Sequence, residues 1–390
     1  DASGNLPRNC IVAEGLSSSV MNDNLVISNN EISNFWMSGQ WSNGIFSYRY
    51  NQAMQITGNH FFQTAARTAS GADTYNVAIL VDDGVASTVS AGFVISNNVI
   101  GGSAANAGGS AYTISHTGFL GFEGIGAPLG NSPVNSIQGN TIKNINFSTG
   151  MPYAGQGYWF FRPLSVFGGA FNIGTTTGNT IGATTGTGSI VLNCNNSTSG
   201  GLYGQLILIG GTGTCLVKNN TVGSVTFNQT GTGTGELSGY GILSFNDNAT
   251  LESNTIGSLT TAASMQMTGG STPYGRLQGI LADNCNTLIK TNTVQNLVNN
   301  TGNFGELYGI AMWNATNGKT QTCQDNIIKN LGTDTGFGVD VTGILAVSNP
   351  NSTITYTVNI TGNTIYDFTN GASTSNECDL NGVWVIRRGT

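Results

Sequence analysis

A short pattern of apolar and polar positions recurs along the whole chain. It consists of an apolar residue, two spacers, Asn, one spacer and a second apolar residue, and it first runs from Ile27 to Ile32. Its asparagines stand 29 to 42 residues apart, at Asn30, Asn59, Asn98, Asn140, Asn179, Asn220, Asn254, Asn292, Asn326 and Asn363. A constant motif at a loosely constant period is typical of a solenoid, in which each repeat forms one turn of a coil.

Each repeat predicts three short strands. A Gly-Ile strand comes first (for example Gly279-Ile280 and Gly309-Ile310), the second strand ends at the repeated Asn, and the third follows it. The apolar runs are short, rich in β-branched residues and bounded by Gly and Asn, so strands are favoured over helices. We expect an all-β parallel β-helix of about ten to eleven turns, forming a single domain over residues 1–390 with irregular turns at about 101–165. Strands about 4.8 Å apart would make a rod on the order of 50 Å long.

The repeated Asn is expected to have a structural role. A bend between strands often needs a left-handed backbone, which Asn tolerates better than most residues. Asparagines stacked in register can also bond from turn to turn, so we predict an inward-facing asparagine ladder. Cys323 occupies an apolar slot of the repeat and is expected to be a core residue, while the other five cysteines leave one or two disulfides open.

The composition narrows the classes of function. With 57 Gly and only 8% charged residues the chain is polar but weakly charged, and 38% hydrophobic residues at regular positions argue for a packed core. The net charge is −7 and no basic run occurs, which excludes nucleic acid as the principal partner. The chain contains no run of 18 apolar residues, so the sequence predicts no membrane span. We interpret the first and last residues as the interior of a longer protein.

The Asn motif and the Gly-Ile strand resemble those of the right-handed parallel β-helix family, the pectate-lyase-like fold. The resemblance covers nearly the whole chain and implies a right-handed coil. It leaves function open, because this scaffold carries enzymes, phage tailspikes and adhesins. In its Asn, Gly and Thr content the chain is also similar to the repeats of large surface proteins of Bacteroidota.

Catalytic candidates are few. Asp82 and Asp83, followed a turn later by His116, resemble the paired aspartates of polygalacturonase-type hydrolases, but the companion motifs Asn-Thr-Asp, Gly-His-Gly and Arg-Ile-Lys are absent. Adjacent strand residues also point to opposite faces. We therefore expect a solvated strand end here, and an exposed turn residue at His60.

Two other groups of residues are candidates for binding. Residues just before the Gly-Ile strand predict a stacked column of charges, at Glu236, Arg276, Glu306, Asp340 and Asp379. We expect this column to be structural, with a calcium site or a subunit interface as the alternatives. Tyr158, Trp159 and Trp313 are candidates for stacking on sugar rings, although for the cluster around Trp159 we expect packing in the core at an irregular turn, with sugar stacking as the alternative. Ice binding is disfavoured, because the Thr residues lie in loops of uneven length.

The sequence therefore predicts a non-catalytic extracellular β-helix, a segment of a cell-surface adhesin or of a filament. The expected partners are further copies of the chain or cell-surface glycans, with no nucleic acid and no membrane span. No cofactor is expected, and structural calcium remains open. The alternatives are a polysaccharide lyase or hydrolase, or a glycan-binding module.

Overall fold

The computed structural model describes residues 6–82, 90–150, 157–195, 200–231, 234–269, 274–301, 305–314, 318–333, 339–348, 356–371 and 379–387. These residues form three long sheets in which every named strand pair is parallel, and strand order follows the chain turn by turn. The predicted all-β parallel β-helix is confirmed, as is the number of turns, because the first sheet has 11 strands and the second has 10.

The first sheet contains the Gly-Ile strands. Its members are Asn9–Ala13, Trp41–Tyr48, Thr74–Asp82, Leu120–Leu129, Gly157–Gly168, Gly201–Ile209, Leu237–Ser244, Gly275–Asp283, Gly305–Asn314, Val339–Ser348 and Leu380–Arg387. The strands Leu120–Leu129 and Gly157–Gly168, which lie in the segment expected to be irregular, keep the pairing of this sheet. One shift of register occurs where Gly157–Gly168 pairs with the following strand, Gly201–Ile209, and it lies between Trp159 and Phe161.

The second sheet leads to the repeated Asn of each turn. Its strands are Val26–Ser28, Gln55–Thr57, Val94–Ser96, Asn135–Gln138, Phe171–Ile173, Cys215–Lys218, Ala249–Glu252, Thr287–Lys290, Thr320–Gln324 and Thr357–Thr361. Two short strands, Asn22–Asp23 and Asn51–Gln52, form a small separate ladder, and Ala105–Ala107 is a single 3₁₀ turn. No helix in these described ranges is long and apolar enough to cross a membrane.

The third sheet follows the repeated Asn. In the earlier turns it is split into two ladders. The first holds Glu31–Ser33, His60–Phe62, Val99–Ile100, Thr141–Ile142, Thr180–Gly182, Thr221–Gly223 and Thr255–Ile256, and the second holds Arg67–Ala69, Tyr112–His116, Ile145–Gly150, Ile190–Asn195, Val225–Gln229 and Met265–Gly269. The two ladders merge at Thr293–Thr301, which pairs with both and is followed by Ile327–Thr333 and Thr364–Asn370.

The core consists of stacked apolar columns, one per sheet. The column of the first sheet is Ile45, Ile79, Ile125, Leu164, Ile207, Ile242, Ile280, Ile310 and Ile344. Cys323 stands between Ile289 and Ile360 in the column of the second sheet and is fully buried, as expected. All five described cysteines are free thiols, and Cys378 lies outside the described residues.

Close approach of successive turns explains the repeated Gly. A Cβ at Gly309 would lie 2.6 Å from the carbonyl oxygen of Gly343, and one at Gly279 would lie 2.5 Å from that of Gly309. Since both distances are far below van der Waals contact, a larger residue would push the turns apart.

The asparagine ladder is confirmed over all ten predicted positions. The backbone N–H and the side-chain amide of each Asn both donate to Oδ1 of the next, at 2.9 to 3.1 Å from Asn30 through to Asn363. The expectation that these asparagines also adopt the left-handed bend is wrong. In nine of the ten turns that backbone belongs to the preceding residue, at Asn29, Gly58, Asn97, Gly139, Asn219, Ser253, Thr291, Asp325 and Gly362. The left-handed bend and the ladder hydrogen bonds therefore fall on different residues, because the ladder residue must direct its amide inward.

Candidate functional site

The outer face of the first sheet is unusually apolar. In the strand Leu237–Ser244, Leu237 and Ile242 belong to the core, while Tyr240 and Leu243 point outward. Both outward side chains are nearly buried, because they form a second apolar cluster with Leu208, Leu281, Tyr308, Ala311 and Leu345. A solvated sheet face normally carries polar residues, so this apolar face is the first candidate for binding.

A cavity of about 390 Å³, the N-terminal groove, opens on this face beside an aromatic wall. Trp41 and Tyr75 stack with ring centroids 4.4 Å apart, and Tyr75 lies 5.6 Å from Trp159. Gly121 leaves the space that these rings use, since a Cβ there would lie 2.6 Å from the Tyr75 ring. Trp41, Trp159 and Phe167 all line the groove.

A buried carboxyl group lies in the N-terminal groove. Glu123 is 6% exposed and accepts a hydrogen bond from Oγ of Ser165. Burial raises the pKa of Glu123, and the Ser165 hydrogen bond and the charge of Arg162 oppose that rise. Gly126 makes room for the carboxyl group, because a Cβ there would lie 2.6 Å from its Cδ.

Arg162 places a positive charge beside this carboxyl group. It pairs in register with Glu123, its guanidinium lies 4.0 Å from the Trp159 ring centroid, and its Nε donates to Oε1 of Gln205 at 2.7 Å. Burial lowers the pKa of Arg162 to about 10, although Glu123 opposes this shift. The groove therefore combines flat aromatic surface, a buried carboxyl group and a hydrogen-bonding cation.

A second cavity of about 350 Å³, the C-terminal groove, lies further along the same face, separated from the first by the two strands Gly201–Ile209 and Leu237–Ser244. It is lined by Arg276, Glu306, Tyr308, Trp313, Asp340 and Trp384, among others. Arg276 donates from Nε to Glu306 at 2.6 Å, forms an ion pair with Glu236 at 3.2 Å, and lies 4.9 Å from the Trp313 ring centroid. Burial opposes the charge of Arg276, but the two glutamates outweigh it and raise its pKa.

The predicted charge column is present, with one displacement. Arg276 pairs with Glu306 and Glu306 pairs with Asp340, while the backbone N–H of Asp379 donates to Oδ1 of Asp340 at 3.1 Å. The residue that pairs in register with Arg276 on the preceding strand is Ser238. Glu236 stands two residues before Ser238 and reaches Arg276 diagonally. Burial raises the pKa of Asp340, and so do the charges of Asp379 and Glu306.

The catalytic candidates lie apart from both grooves where they are described. His116 is 5% exposed, and its Nδ1 accepts the backbone N–H of Gly118 at 2.7 Å while Nε2 lies 3.0 Å from the carbonyl oxygen of Ala72. It therefore ties two chain segments together. The side chain of Asp82 and the whole of Asp83 lie outside the described residues. Within the described ranges, no group of three or more His, Cys, Asp or Glu could hold a metal ion.

Two of the three aromatic candidates line a groove, and the third packs against a neighbouring ring. Trp159 lines the N-terminal groove and Trp313 lines the C-terminal groove. Tyr158 is half-buried and packs on Phe119, at 5.2 Å between ring centroids. His60 is also half-buried, at the start of the strand His60–Phe62.

Sequence reasoning missed Glu123 and Arg162, together with the wall residues Trp41 and Tyr75. The available signal was a charged residue in the middle of each of two otherwise apolar strands, Leu120–Leu129 and Gly157–Gly168. Comparison of the chain with known protein families, with curated proteins and with solved structures finds no match.

Proposed function

We propose that this protein is an extracellular, non-catalytic β-helix that binds glycans along the outer face of its first sheet. The observation that carries the proposal is the N-terminal groove, in which an aromatic wall stands beside the buried pair Glu123 and Arg162. A sugar ring has apolar C–H faces and a rim of hydroxyl groups. It therefore suits a site with flat aromatic side chains and a few convergent polar groups.

Binding is favoured over hydrolysis. Glycoside hydrolysis generally uses two carboxyl groups on either side of the scissile bond. Glu123 is the one carboxyl group among the described residues that line the N-terminal groove. A single carboxyl group can hold a hydroxyl group in place, but it cannot serve as both acid and nucleophile.

The extracellular assignment rests on composition and architecture. A long, weakly charged solenoid rich in Asn, Gly and Thr suits a rigid surface-exposed stalk, and regular turns place its loops and grooves at fixed spacing. We propose a segment of a bacterial surface adhesin, of the kind found in Bacteroidota, on a right-handed pectate-lyase-like coil.

The test is a glycan array followed by calorimetric titration of the best oligosaccharide. Trp159→Ala removes the ring beside Arg162 and is expected to weaken binding about tenfold, a change of about 1.4 kcal/mol. Tyr366→Ala is the matched control, because Tyr366 is an exposed aromatic residue of the third sheet, away from both grooves. Equal binding by the two variants, or no binding of any glycan, would refute the proposal. Release of shorter sugars from the same ligand would support the enzyme alternative.

A further inference from the structure

The C-terminal groove carries one carboxylate, that of Asp340, without a cationic partner among the described residues. Glu306 is neutralised by Arg276, but Asp340 forms no ion pair with any described Lys or Arg. Its neighbours in the column are Glu306 and Asp379, which are both acidic. Like charges at this spacing repel one another, so the opening of the groove favours a cation.

Several buried polar atoms near this groove have no hydrogen-bond partner among the described residues. They are Oγ1 of Thr342, both amide atoms of Gln278 and Nε1 of Trp313. Thr342 and Gln278 are fully buried, and both pair in register with Tyr308, which lines the groove. Trp313 lines the groove itself, and because native proteins rarely leave such groups unsatisfied, its Nε1 points to a partner that a bound molecule supplies.

The side chains of Thr342 and Gln278 lie on the outer side of the first sheet, but they are covered by their neighbours and do not line the groove. Val341 belongs to the core, and a Cβ at Gly343 would lie 2.7 Å from the side chain of Ile365, which packs against the core. Since successive strand residues alternate, Thr342 between them points outward. The same argument holds for Gln278, which follows the core residue Leu277.

Flat apolar surface completes the groove. Trp313 and Trp384 both line it and pack on the second apolar cluster, with Leu345 of that cluster in the lining. Trp384 stands next to Leu345 in register. A ligand in this cavity therefore meets an aromatic ring, a carboxylate and the indole of Trp313, whose Nε1 has no described partner, together.

We infer that the C-terminal groove binds a glycan unit with a free amino group. The ammonium group pairs with Asp340, the apolar face of the sugar ring stacks on Trp384, and a sugar hydroxyl group accepts a hydrogen bond from Nε1 of Trp313. A neutral sugar supplies no charge for Asp340, and a lysine side chain supplies no ring face and no hydroxyl groups. This inference rests on the proposed glycan binding and names the class of sugar.

The experiment titrates the full chain with three tetrasaccharides by calorimetry: fully deacetylated chitotetraose, N-acetylated chitotetraose and cellotetraose. We expect the deacetylated ligand to bind at least tenfold more tightly than the other two, and to lose affinity as salt is raised. Asp340→Asn should abolish that preference, and Trp313→Phe, which keeps the ring but removes Nε1–H, should weaken binding of the deacetylated ligand. Glu31→Gln is the control, because Glu31 is an exposed carboxylate of the third sheet.

The results separate this inference from the proposal on which it rests. Equal affinity for all three ligands, or a preference that survives Asp340→Asn, would overturn it. If neutral ligands bind in a manner that depends on Trp159 but not on Asp340, glycan binding stands and the amino-sugar assignment fails. Binding of oligolysine as tight as that of the deacetylated sugar, and equally dependent on Asp340, would also overturn it, because the groove would then recognise charge alone. Unchanged thermal unfolding of the Asp340→Asn variant shows that lost binding is not lost folding.

Discussion

Removal of one central rung of the asparagine ladder tests what holds the turns in register. Asn220 accepts two hydrogen bonds at Oδ1, from the backbone N–H of Asn179 at 3.0 Å and from its side-chain amide at 2.9 Å. Its own amide donates to Asn254 and to the carbonyl oxygen of Lys218, both at 2.9 Å. Asn220→Ala keeps the backbone bond to Asn254 but removes all of these side-chain bonds.

The cost follows from the donors that are left behind. Asn179 is 2% exposed and Asn220 is fully buried, so the backbone N–H of Asn179 and one N–H of its side-chain amide lose their partner with little access to water, while the amide keeps its bond to the carbonyl oxygen of Ile137 at 3.0 Å. Each buried unsatisfied donor costs about 1–3 kcal/mol, which gives about 2–6 kcal/mol for the pair. This exceeds the roughly 1 kcal/mol of an average substitution.

The ladder itself provides the matched control. Asn30 occupies the same place in its turn, but it is exposed and stands at the start of the ladder, where it donates to Asn59 and accepts from no other ladder residue. Asn30→Ala should therefore cost less than about 1 kcal/mol. Denaturant unfolding with hydrogen exchange at the Asn179 amide measures both effects, since a solenoid can open locally. Equal losses in the two variants would refute the ladder as a main source of stability.

Three further predictions concern other buried groups. Burial raises the folded pKa of Glu123, so the folded state holds a proton that the unfolded state releases, and stability should fall as pH rises from about 4.5 through the raised pKa. Glu123→Gln should flatten that fall in pH-dependent thermal unfolding, and an unchanged slope would contradict the assignment. Thr342→Val removes a buried hydroxyl that has no partner among the described residues, and it should stabilise the protein by about 1 kcal/mol in thermal unfolding; a loss of stability would show that the hydroxyl has a partner. In a Cys378→Ser background, which leaves only the described cysteines, a thiol reagent should modify Cys10, which is exposed, far faster than Cys194, Cys215, Cys285 and Cys323, which are buried, and Cys10→Ser should remove that fast phase.

The repeat motif determined the fold, the number of turns and the asparagine ladder. Each of these features depends on one residue type at a fixed place in every turn. When the turns stack, the residues at that place become neighbours, even where the loops between them differ in length. Cys323 shows this, since its slot alone placed it between Ile289 and Ile360. The assignment of the left-handed bend failed by one residue, because Asn suits both tasks and the sequence does not say which asparagine performs which.

The two grooves were decided by the tertiary structure. Glu123 and Arg162 are 39 residues apart in the chain and become neighbours only through strand pairing, and the same is true of Trp41 and Tyr75. The alignment of turns by sequence was two residues out at Glu236, since the structure pairs Ser238, and not Glu236, with Arg276. The physical reason is that hydrogen bonds between turns set the register of outward side chains, while loops of variable length separate those side chains in the sequence. Inward residues repeat because the core demands the same shape in every turn, whereas outward residues are free to differ, and only their final juxtaposition makes a site.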